Sequence, residues 1–238
     1  MEERIAIIGA MDEEVEALGH ALTSVTQVQS PLRNLPIVQG GLGGKEVVVV
    51  RCGIGKVNAA LATQYVIDHF KPTGIINSGI AGALSPKVRI GDLVLGTNSL
   101  HHDFDLREFG YAMSYIPSLG SSTFTADSRL LVAATQAAKE ELTSDRIHQG
   151  LIVSGDQFIS STEQKQHISR MFPEAMCAEM EGAAIAQVAS VNRIPHLIMR
   201  AISDQADSTA PHDFDQYLLD VIPVLNTVIQ KLLALLNG

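Results

Sequence analysis

The stretch from residue 177 to residue 207 constrains the fold most, because acidic side chains enclose a largely apolar segment there. Small and apolar residues recur at three- and four-residue spacing between Ala183 and Val191, which predicts a buried helix. The run at residues 196–199 predicts an inner strand. Two acids precede this helix–strand unit and two follow it: Glu179, Glu181, Asp204 and Asp207.

These acids have two explanations, and their number favours one of them. Acidic groups at the edge of a core are costly unless they are paired or used chemically. Helix capping would explain Glu179 or Glu181 alone, and a turn would explain Asp204 alone. Four acids together with Arg200, at the two ends of one buried unit, indicate a functional site.

The charge balance argues against one class of partner. The sequence holds 17 basic and 26 acidic side chains, for a net charge of −9, and the basic residues do not cluster. We therefore expect no nucleic-acid partner. The N-terminal residues, Met-Glu-Glu-Arg and a short apolar run, predict neither a signal peptide nor a membrane span. We expect a soluble, cytoplasmic protein.

The length of 238 residues allows one α/β domain with a buried core, or two small domains. Because no repeat or interdomain linker is found, we expect a single domain over residues 1–238. Cys52 and Cys177 adjoin apolar runs, which predicts reduced core cysteines instead of a disulfide framework.

The first strand and helix carry an acidic loop between them. Residues 4–10 predict a buried strand, and the helix that follows has Asp12, Glu13 and Glu14 in its first turn. The helix dipole favours acids there, so capping accounts for them. A loop after a strand is also where α/β proteins bind ligands. Negative charge at this position would repel a phosphate, but not a water molecule that needs activation.

Three glycine-containing segments have different interpretations. Residues 40–45 lead into a strand, and no Ser or Thr follows Lys45, so a hairpin is favoured over a phosphate loop. Residues 53–60 follow a strand and open a helix, which a tight turn explains as well as half a dinucleotide fingerprint does. Residues 74–83 predict a central strand that ends in a glycine-rich bend, where the backbone can approach a ligand closely.

Two adjacent histidines and one aromatic residue are candidates for ligand binding. His101 and His102 are adjacent, so on a strand they face opposite sides, and we expect no metal site there. Phe158 follows a predicted strand. It is either a stacking platform for a flat ligand or a core residue, and the sequence leaves both open.

Loops and a final helix complete the prediction. Residues 106–123 predict an irregular, aromatic-bearing loop of the kind that covers sites or forms interfaces. Residues 209–214 predict a mobile loop, and residues 214–235 an amphipathic helix that closes the chain.

Six motifs in order along the chain resemble one family. They are Gly-Ala-Met-Asp-Glu-Glu-Val at 9–15, Gly-Ile-Gly-Lys-Val at 53–57, Asn-Ser-Gly-Ile-Ala-Gly-Ala at 77–83, Gly-Asp-Gln-Phe-Ile at 155–159, Glu-Met-Glu at 179–181 and Arg-Ala-Ile-Ser-Asp at 200–204. Together they resemble the 5′-methylthioadenosine/S-adenosylhomocysteine nucleosidases. The resemblance implies the nucleoside phosphorylase-like fold, a three-layer α/β/α domain with a central mixed, twisted sheet, and a homodimer. We expect no cofactor and no metal.

The resemblance implies catalytic roles for three residues. Asp204 would be the general acid that protonates N7 of adenine, so that the base leaves neutral. An acid that donates near neutral pH needs a raised pKa, and the neighbouring Ala201, Ile202 and Ser203 are compatible with one. Glu14 would be the base that activates the attacking water, with Arg200 nearby in the same pocket.

The same resemblance implies the substrate contacts. Glu181 and the backbone of Met180 would bind the ribose hydroxyls, and the Glu181 charge would favour a sugar that becomes cationic. Phe158 would stack on adenine while the Ile159 backbone bonds the base edge. The other expected contacts are the backbone of Gly82 at the ribose and water site, Glu179, Ser203 and Ile80 within the substrate site, and Met11, Ile54 and Phe214 around the 5′-alkylthio group, joined by Phe109 of the partner subunit.

Two positions depart from the family pattern. Ile80 stands where many members carry serine, which removes a hydroxyl contact, and Ser160 stands where asparagine is common. The preferred substrate is therefore left open among methylthioadenosine, adenosylhomocysteine, 5′-deoxyadenosine and aminofutalosine.

The resemblance implies hydrolysis of the N-glycosidic bond of an adenine nucleoside, and the sequence disfavours two alternative functions. A phosphorolytic enzyme of the same fold needs several arginines around its phosphate, whereas residues 12–14 supply acids. A non-catalytic nucleoside sensor would be expected to lose Glu14 or Asp204, and both are present.

Overall fold

A twisted mixed β-sheet lies at the centre of the structure, a computed structural model that describes residues 3–236. Within those residues the strands are β1 (Arg4–Gly9), β2 (Thr23–Val28), β3 (Ile37–Leu42), β4 (Lys45–Arg51), β5 (Gly74–Ala83), β6 (Leu93–His101), β7 (Phe124–Thr125), β8 (Ile147–Ser154), β9 (Ala175–Glu179) and β10 (His196–Asp204). Residues 1–2 and 237–238 lie outside the described range. Both limits of the predicted domain, residues 1 and 238, lie outside the described residues. So does the beginning of the N-terminal segment for which no signal peptide is predicted.

The strand order brings several strand ends to one edge of the sheet. Strands β4, β1, β5 and β10 are parallel neighbours in that order. From β10 the sheet continues through β6, β8 and β9, and β9 pairs back with β5 at Gly82 and Ala83. Five strands therefore close on themselves around the end of β5. In α/β sheets ligands bind beyond such carboxyl ends.

Helices cover both faces of the sheet. Within the described range they are α1 (Asp12–Ala21), α2 (Lys56–Phe70), α3 (Ser128–Lys139), α4 (Thr162–Met171), α5 (Gly182–Val191) and α6 (Ala210–Leu235). Residues of α1, α3 and α6 share one apolar core, and residues of α2 and α5 share another. This arrangement confirms the predicted three-layer α/β/α fold with a mixed sheet. The partial closure of the sheet was not predicted.

The central strands are continuous apolar runs because both of their faces are covered. Ile5, Ile7 and Ile8 of β1 are fully buried, and β5 is buried along its whole length. Asn77 interrupts the apolar run of β5. A buried amide is costly unless it is hydrogen-bonded, so the partners of Asn77 bear on its role.

The hairpin and the tight turn are confirmed as structures. β3 and β4 pair antiparallel from Ile37↔Val50 to Leu42↔Lys45, as predicted for residues 40–45, although Gly40 and Gly41 belong to β3 itself. The segment after β4 turns directly into α2 at Lys56.

Two predictions near the edge of the sheet are wrong. Residues 74–83 do not end in a bend, because pairing with β10 and then with β9 keeps the glycines extended through Ala83. Residues 209–214 are not a loop, because α6 begins at Ala210 with Thr209 as its N-cap. A proline in the first turn is compatible with a helix start, since its missing N–H needs no partner there.

The last helix and the cysteines agree with the sequence. Helix α6 contains a stretch that is long and apolar enough to cross a membrane, Gln216–Leu235. Its residues Leu225, Ile229 and Leu232 are buried in the core beneath the sheet, which is the pattern of an amphipathic core helix. Cys52 and Cys177 are buried and form no disulfide.

Candidate active site

A cavity of about 490 Å³ opens at the carboxyl ends of the strands. It is lined by residues at or just after the ends of β1, β4, β5, β8, β9 and β10 and by residues of α1 and α6: Ala10, Met11, Glu14, Ile54, Ile80, Ala81, Gly82, Gln157, Phe158, Ile159, Ala178, Glu179, Met180, Glu181, Ser203, Asp204 and Phe214. The fold therefore brings together the predicted site residues other than Arg200, Asp207 and Phe109.

Glu14 both caps helix α1 and faces the cavity. One carboxylate oxygen, Oε2, accepts hydrogen bonds from the backbone N–H groups of Ala10 (2.6 Å) and Met11 (3.1 Å). The other, Oε1, accepts from the N–H of Ile80 at 3.1 Å. Burial raises the pKa of Glu14, and the Arg200 charge and these N–H donors offset only part of the effect. Glu14 is thus a fixed carboxyl group with a strengthened affinity for a proton.

Arg200 lies behind the cavity lining, not in it. Its guanidinium pairs with Glu179 through Nη2, which also donates to Asn77 Oδ1 at 2.5 Å. Nη1 donates to the carbonyl of Met199 at 2.9 Å. Burial acts to lower the pKa of Arg200, but the carboxylates of Glu179 and Glu14 outweigh it and hold that pKa above its usual value. Arg200 is a permanent buried cation between two acids.

Glu179 is the acid that Arg200 keeps ionised. Burial favours its protonation, yet the Arg200 charge and the hydrogen bond from the Ser154 hydroxyl hold the pKa of Glu179 below its ordinary range. Its Oε2 also accepts from the N–H groups of Glu181 (3.0 Å) and Gly182 (2.8 Å) at the start of α5. The capping explanation therefore applies to Glu179, although its side chain also borders the cavity.

Glu181 has a different environment two residues along the chain. Its Oε1 accepts the N–H of Gly55 at 2.8 Å. Burial, and next the negative charge of Glu179, raise the pKa of Glu181 to about 8. At neutral pH this carboxyl group is therefore mostly protonated in the free protein, so it can donate as well as accept a hydrogen bond.

The raised pKa of Glu181 predicts a pH-dependent stability. Between its ordinary value of 4.5 and about 8, the folded protein holds a proton that the unfolded chain has released. Stability contributed by this group is therefore lost as the pH rises. Glutamine does not titrate. We therefore expect the unfolding free energy of the wild type, relative to that of Glu181→Gln, to decrease by roughly 1–3 kcal/mol from pH 5 to pH 8. Urea unfolding of both proteins at each pH measures it, and parallel curves would contradict the assignment.

Asp204 lies at the end of β10, with both carboxylate oxygens bonded. Oδ1 accepts the N–H of Ala206 at 2.8 Å and Oδ2 the hydroxyl of Ser203 at 2.8 Å. Burial raises the pKa of Asp204 against the effect of these two bonds, and the nearby charges of Asp213 and Asp207 act in the same direction as burial. The environment favours a carboxyl group that holds a proton.

Two glycines of β5 allow these carboxyl groups to approach the strand. A Cβ atom on Gly79 would lie 2.6 Å from Oε1 of Glu14, and one on Gly82 would lie 2.6 Å from Oδ1 of Asp204. Both distances are shorter than real side chains show, so β5 must present bare backbone at both positions.

Aromatic and aliphatic side chains complete the cavity. Phe158 is 44% exposed, which favours the stacking interpretation over the core interpretation. Its ring meets Phe214 edge to face, with the centroids 5.9 Å apart. Met11, Ile54 and Ile80 supply the other apolar lining.

Phe109 lies elsewhere, in a short 3₁₀ helix, Arg107–Phe109, within the irregular region predicted at residues 106–123. It is 78% exposed and does not line the cavity. Its expected role on a partner subunit stays a prediction.

Three polar residues of the site were not predicted from the sequence. Asn77 bridges the site, accepting from Arg200 and donating to the carbonyl of Ile8 at 2.8 Å. Ser154 bonds Glu179, and Gln157 lines the cavity. A polar residue inside or at the end of an apolar strand is the signal that points to Asn77 and Ser154. Among the residues of the cavity lining that the structure describes, there is no lysine or arginine.

No metal-binding group is found in the described part of the chain, where no three His, Cys, Asp or Glu side chains could hold an ion together. The buried His101 bonds Gln187 at 2.8 Å instead. The carboxyl groups of the cavity offer acid–base chemistry: Asp204 can donate a proton, Glu14 can accept one, and Glu181 beside them can bind hydroxyl groups.

The chain was compared with families and proteins of known identity. The sequence of residues 4–237 matches the family model of the phosphorylase superfamily. A curated relative from Staphylococcus haemolyticus, a 5′-methylthioadenosine/S-adenosylhomocysteine nucleosidase, is 38% identical over 232 residues, which cover 98% of this chain and 100% of the relative.

Solved structures agree with the sequence comparison. The nucleosidase of the same name from Neisseria meningitidis, in complex with methylthio-immucillin-A, superposes with a TM-score of 0.93 at 38% identity, over 98% of this chain and 99% of that chain. A futalosine hydrolase from Helicobacter pylori superposes with a TM-score of 0.88 at 31% identity, over 98% and 97% of the two chains. By fold and by sequence over almost its whole length, the chain belongs to the phosphorylase superfamily and, within it, to the 5′-methylthioadenosine/S-adenosylhomocysteine nucleosidases.

Proposed function

We propose that this protein hydrolyses the N-glycosidic bond of 5′-substituted adenine nucleosides, releasing adenine and a free 5-substituted ribose. The observation that carries the proposal is that Glu14 and Asp204, two carboxyl groups with raised pKa, border one cavity. In the family to which the chain belongs, the reaction serves methionine salvage and the breakdown of S-adenosylhomocysteine.

Asp204 acts as the general acid. As the bond between C1′ and N9 breaks, its electron pair stays with adenine, and the Asp204 proton passes to N7, so the base leaves neutral. The N–H of Ala206 and the hydroxyl of Ser203 fix the orientation of the carboxyl group. Its raised pKa supports this role, because the group must still hold its proton near neutral pH.

Glu14 acts as the general base on the other side of the reaction. A water oxygen bonds to C1′, and one water proton passes to the Glu14 carboxylate. Three backbone N–H donors hold that carboxylate in place, so little reorganisation is needed during the reaction. Arg200, which lies behind the lining, supplies positive charge that favours the ionised form of Glu14 and offsets part of the effect of burial on its pKa.

The remaining lining residues bind the substrate. Glu181 and the Met180 backbone bind the ribose hydroxyls, and a sugar that becomes cationic draws Glu181 toward its charged form. Phe158 stacks on adenine while the Ile159 backbone bonds the base edge. Other contacts are the backbone of Gly82 at the ribose and water site, Glu179, Ser203 and Ile80 within the substrate site, and Met11, Ile54 and Phe214 at the 5′ substituent.

We further propose that one domain spans residues 1–238, that the protein is cytoplasmic and dimeric, and that Phe109 enters the 5′ slot of the partner subunit. Exposed apolar side chains support a dimer surface, among them Val57 and Leu61 on helix α2, and Phe109. No cofactor, metal or nucleic acid takes part. Light scattering of the purified protein tests the dimer.

A phosphorylase of the same fold is the main alternative. Phosphate binding requires cationic or N–H donors around the anion. The nearby Arg51 is paired with Asp12 at 2.8 Å, and Arg200 is paired with Glu179. This charge distribution favours water as the nucleophile. A sensor without activity is disfavoured because Glu14 and Asp204 are both present and line the same cavity.

The proposal predicts adenine release that does not depend on phosphate. Incubation of the purified protein with methylthioadenosine, with and without phosphate, followed by identification of both products, is the direct test. We expect adenine and a reducing sugar at the same rate in both buffers. A sugar 1-phosphate formed only with phosphate would establish the phosphorylase instead. Rates with adenosylhomocysteine, 5′-deoxyadenosine and aminofutalosine then rank the substrates.

A further inference from the structure

Asp103 joins two walls of the cavity although it does not line the cavity itself. The first wall is the segment 53–56, which carries Ile54, and the second wall is the segment 155–159, which carries Phe158. Oδ1 of Asp103 accepts a hydrogen bond from Nζ of Lys56 at 2.5 Å. Its Oδ2 accepts one from the N–H of Asp156 at 3.0 Å. A single carboxylate therefore holds one residue of each wall.

Asp156 makes a second, direct link between the walls. Its Oδ1 accepts the N–H of Lys56 at 2.8 Å, at the beginning of helix α2. On the other side, the first wall is held by the bond from the Gly55 N–H to Glu181. The first wall is thus fixed between the ribose-binding carboxyl group and the second wall.

The ion pair within this network is partly shielded from solvent. The side chains of Lys56 and Asp103 are 20% and 26% exposed. Isolated surface ion pairs contribute little, but shared hydrogen bonds in a partly buried network contribute more. Although burial favours protonation, the Lys56 ammonium and the Asp156 N–H hold the pKa of Asp103 below its ordinary value, so Asp103 remains an acceptor at neutral pH.

We propose that Asp103 is a positioning residue for substrate binding, which acts through Lys56 and Asp156 to set the separation between the Ile54 wall and the Phe158 wall. The inference rests on the proposed function, since it identifies what fixes the base and 5′ contacts. Glu14 and Asp204 make none of the bonds in this network; they are held by backbone groups of Ala10, Ile80 and Ala206. Loss of Asp103 therefore affects binding and spares the chemical step.

The Asp103→Ala variant tests the proposal through the separation of KM from kcat. We expect KM for methylthioadenosine to rise about tenfold, because a charge-assisted hydrogen bond is lost, and kcat to stay nearly unchanged. Asp103→Asn retains an acceptor oxygen in the same shape, so its KM should rise less. Glu46→Ala is the matched control: its carboxylate also holds two donor atoms, on Arg4 at the opposite ends of the strands, and both constants should stay at wild-type values.

A double variant tests whether Asp103 acts through Asp156. If it does, Asp103→Ala combined with Asp156→Ala raises KM less than the product of the two single effects. An unchanged KM for Asp103→Ala, a fall in kcat alone, or fully multiplicative effects would each overturn the proposal. Calorimetric titration with adenine separates this result from the proposed reaction. Weakened adenine binding by Asp103→Ala supports the positioning role even if the wild type hydrolyses none of the nucleosides, and unchanged binding then contradicts it.

Discussion

Replacement of Asp204 by asparagine is expected to lower kcat for methylthioadenosine by about 10²- to 10⁴-fold, the range usual for loss of a general acid. An asparagine can still accept the N–H of Ala206, so the geometry of the site is retained. It has no acidic proton to give to N7, and the base would have to leave as an anion. Steady-state turnover measures the loss of catalysis, and calorimetric titration with adenine measures binding, which should change little.

Asp207→Asn is the matched control for this prediction. Asp207 lies three residues further along the chain and accepts the N–H of Thr209 at 2.9 Å, on an exposed turn. Its pKa is lowered, by the Thr209 N–H bond first, so it is an ionised carboxylate and not a proton donor. Turnover of Asp207→Asn should match wild type. Near-normal turnover of Asp204→Asn would show that another group protonates the base.

Replacement of Glu14 by glutamine is expected to lower kcat by about 10²- to 10⁴-fold through loss of the base that takes the water proton. The substitution also has a structural cost. The carboxylate accepts three N–H bonds through two oxygens, whereas glutamine has one acceptor oxygen, so at least one buried N–H loses its partner. We expect the variant to be destabilised by about 1–3 kcal/mol.

Single-turnover rates, measured on protein shown to be folded by urea unfolding, isolate the catalytic loss in Glu14→Gln. Glu13→Gln is the control, because Glu13 is exposed on the same first turn of α1 and should be silent in both measurements. If the folded Glu14→Gln protein retained wild-type single-turnover rates, the water would have to be activated by a different group.

The sequence was most informative where a polar residue interrupts an apolar run or adjoins one. Glu14, Glu181 and Asp204 could be singled out in this way, and the fold brings all three to one cavity. This signal does not reveal the contacts of Arg200, because its partner Asn77 is 123 positions away and meets it only through the pairing of β5 with β10. The contacts of Asp103 could not be predicted either, because its partners Lys56 and Asp156 are distant in sequence and meet it only in the folded chain.

The two wrong predictions have a common physical cause, which is that local signals were overridden by their surroundings. Glycines at residues 79–82 suggested a bend, but neighbouring strands on both sides hold them extended. Residues 209–214 have a loop-like composition. Thr209 followed by a nearby proline is also a helix-start pattern, and this is the form that the chain adopts.

The two bare positions on β5 give the site a fixed length. Gly79 lies under the Glu14 carboxyl group and Gly82 under that of Asp204, three residues further along the same strand. At the rise of an extended chain this spacing is roughly 10 Å. A central strand with partners on both sides is among the stiffest parts of a domain. The distance between the proposed proton donor and the proposed proton acceptor is therefore set by β5 itself, and it stays constant whatever 5′ group the nucleoside carries.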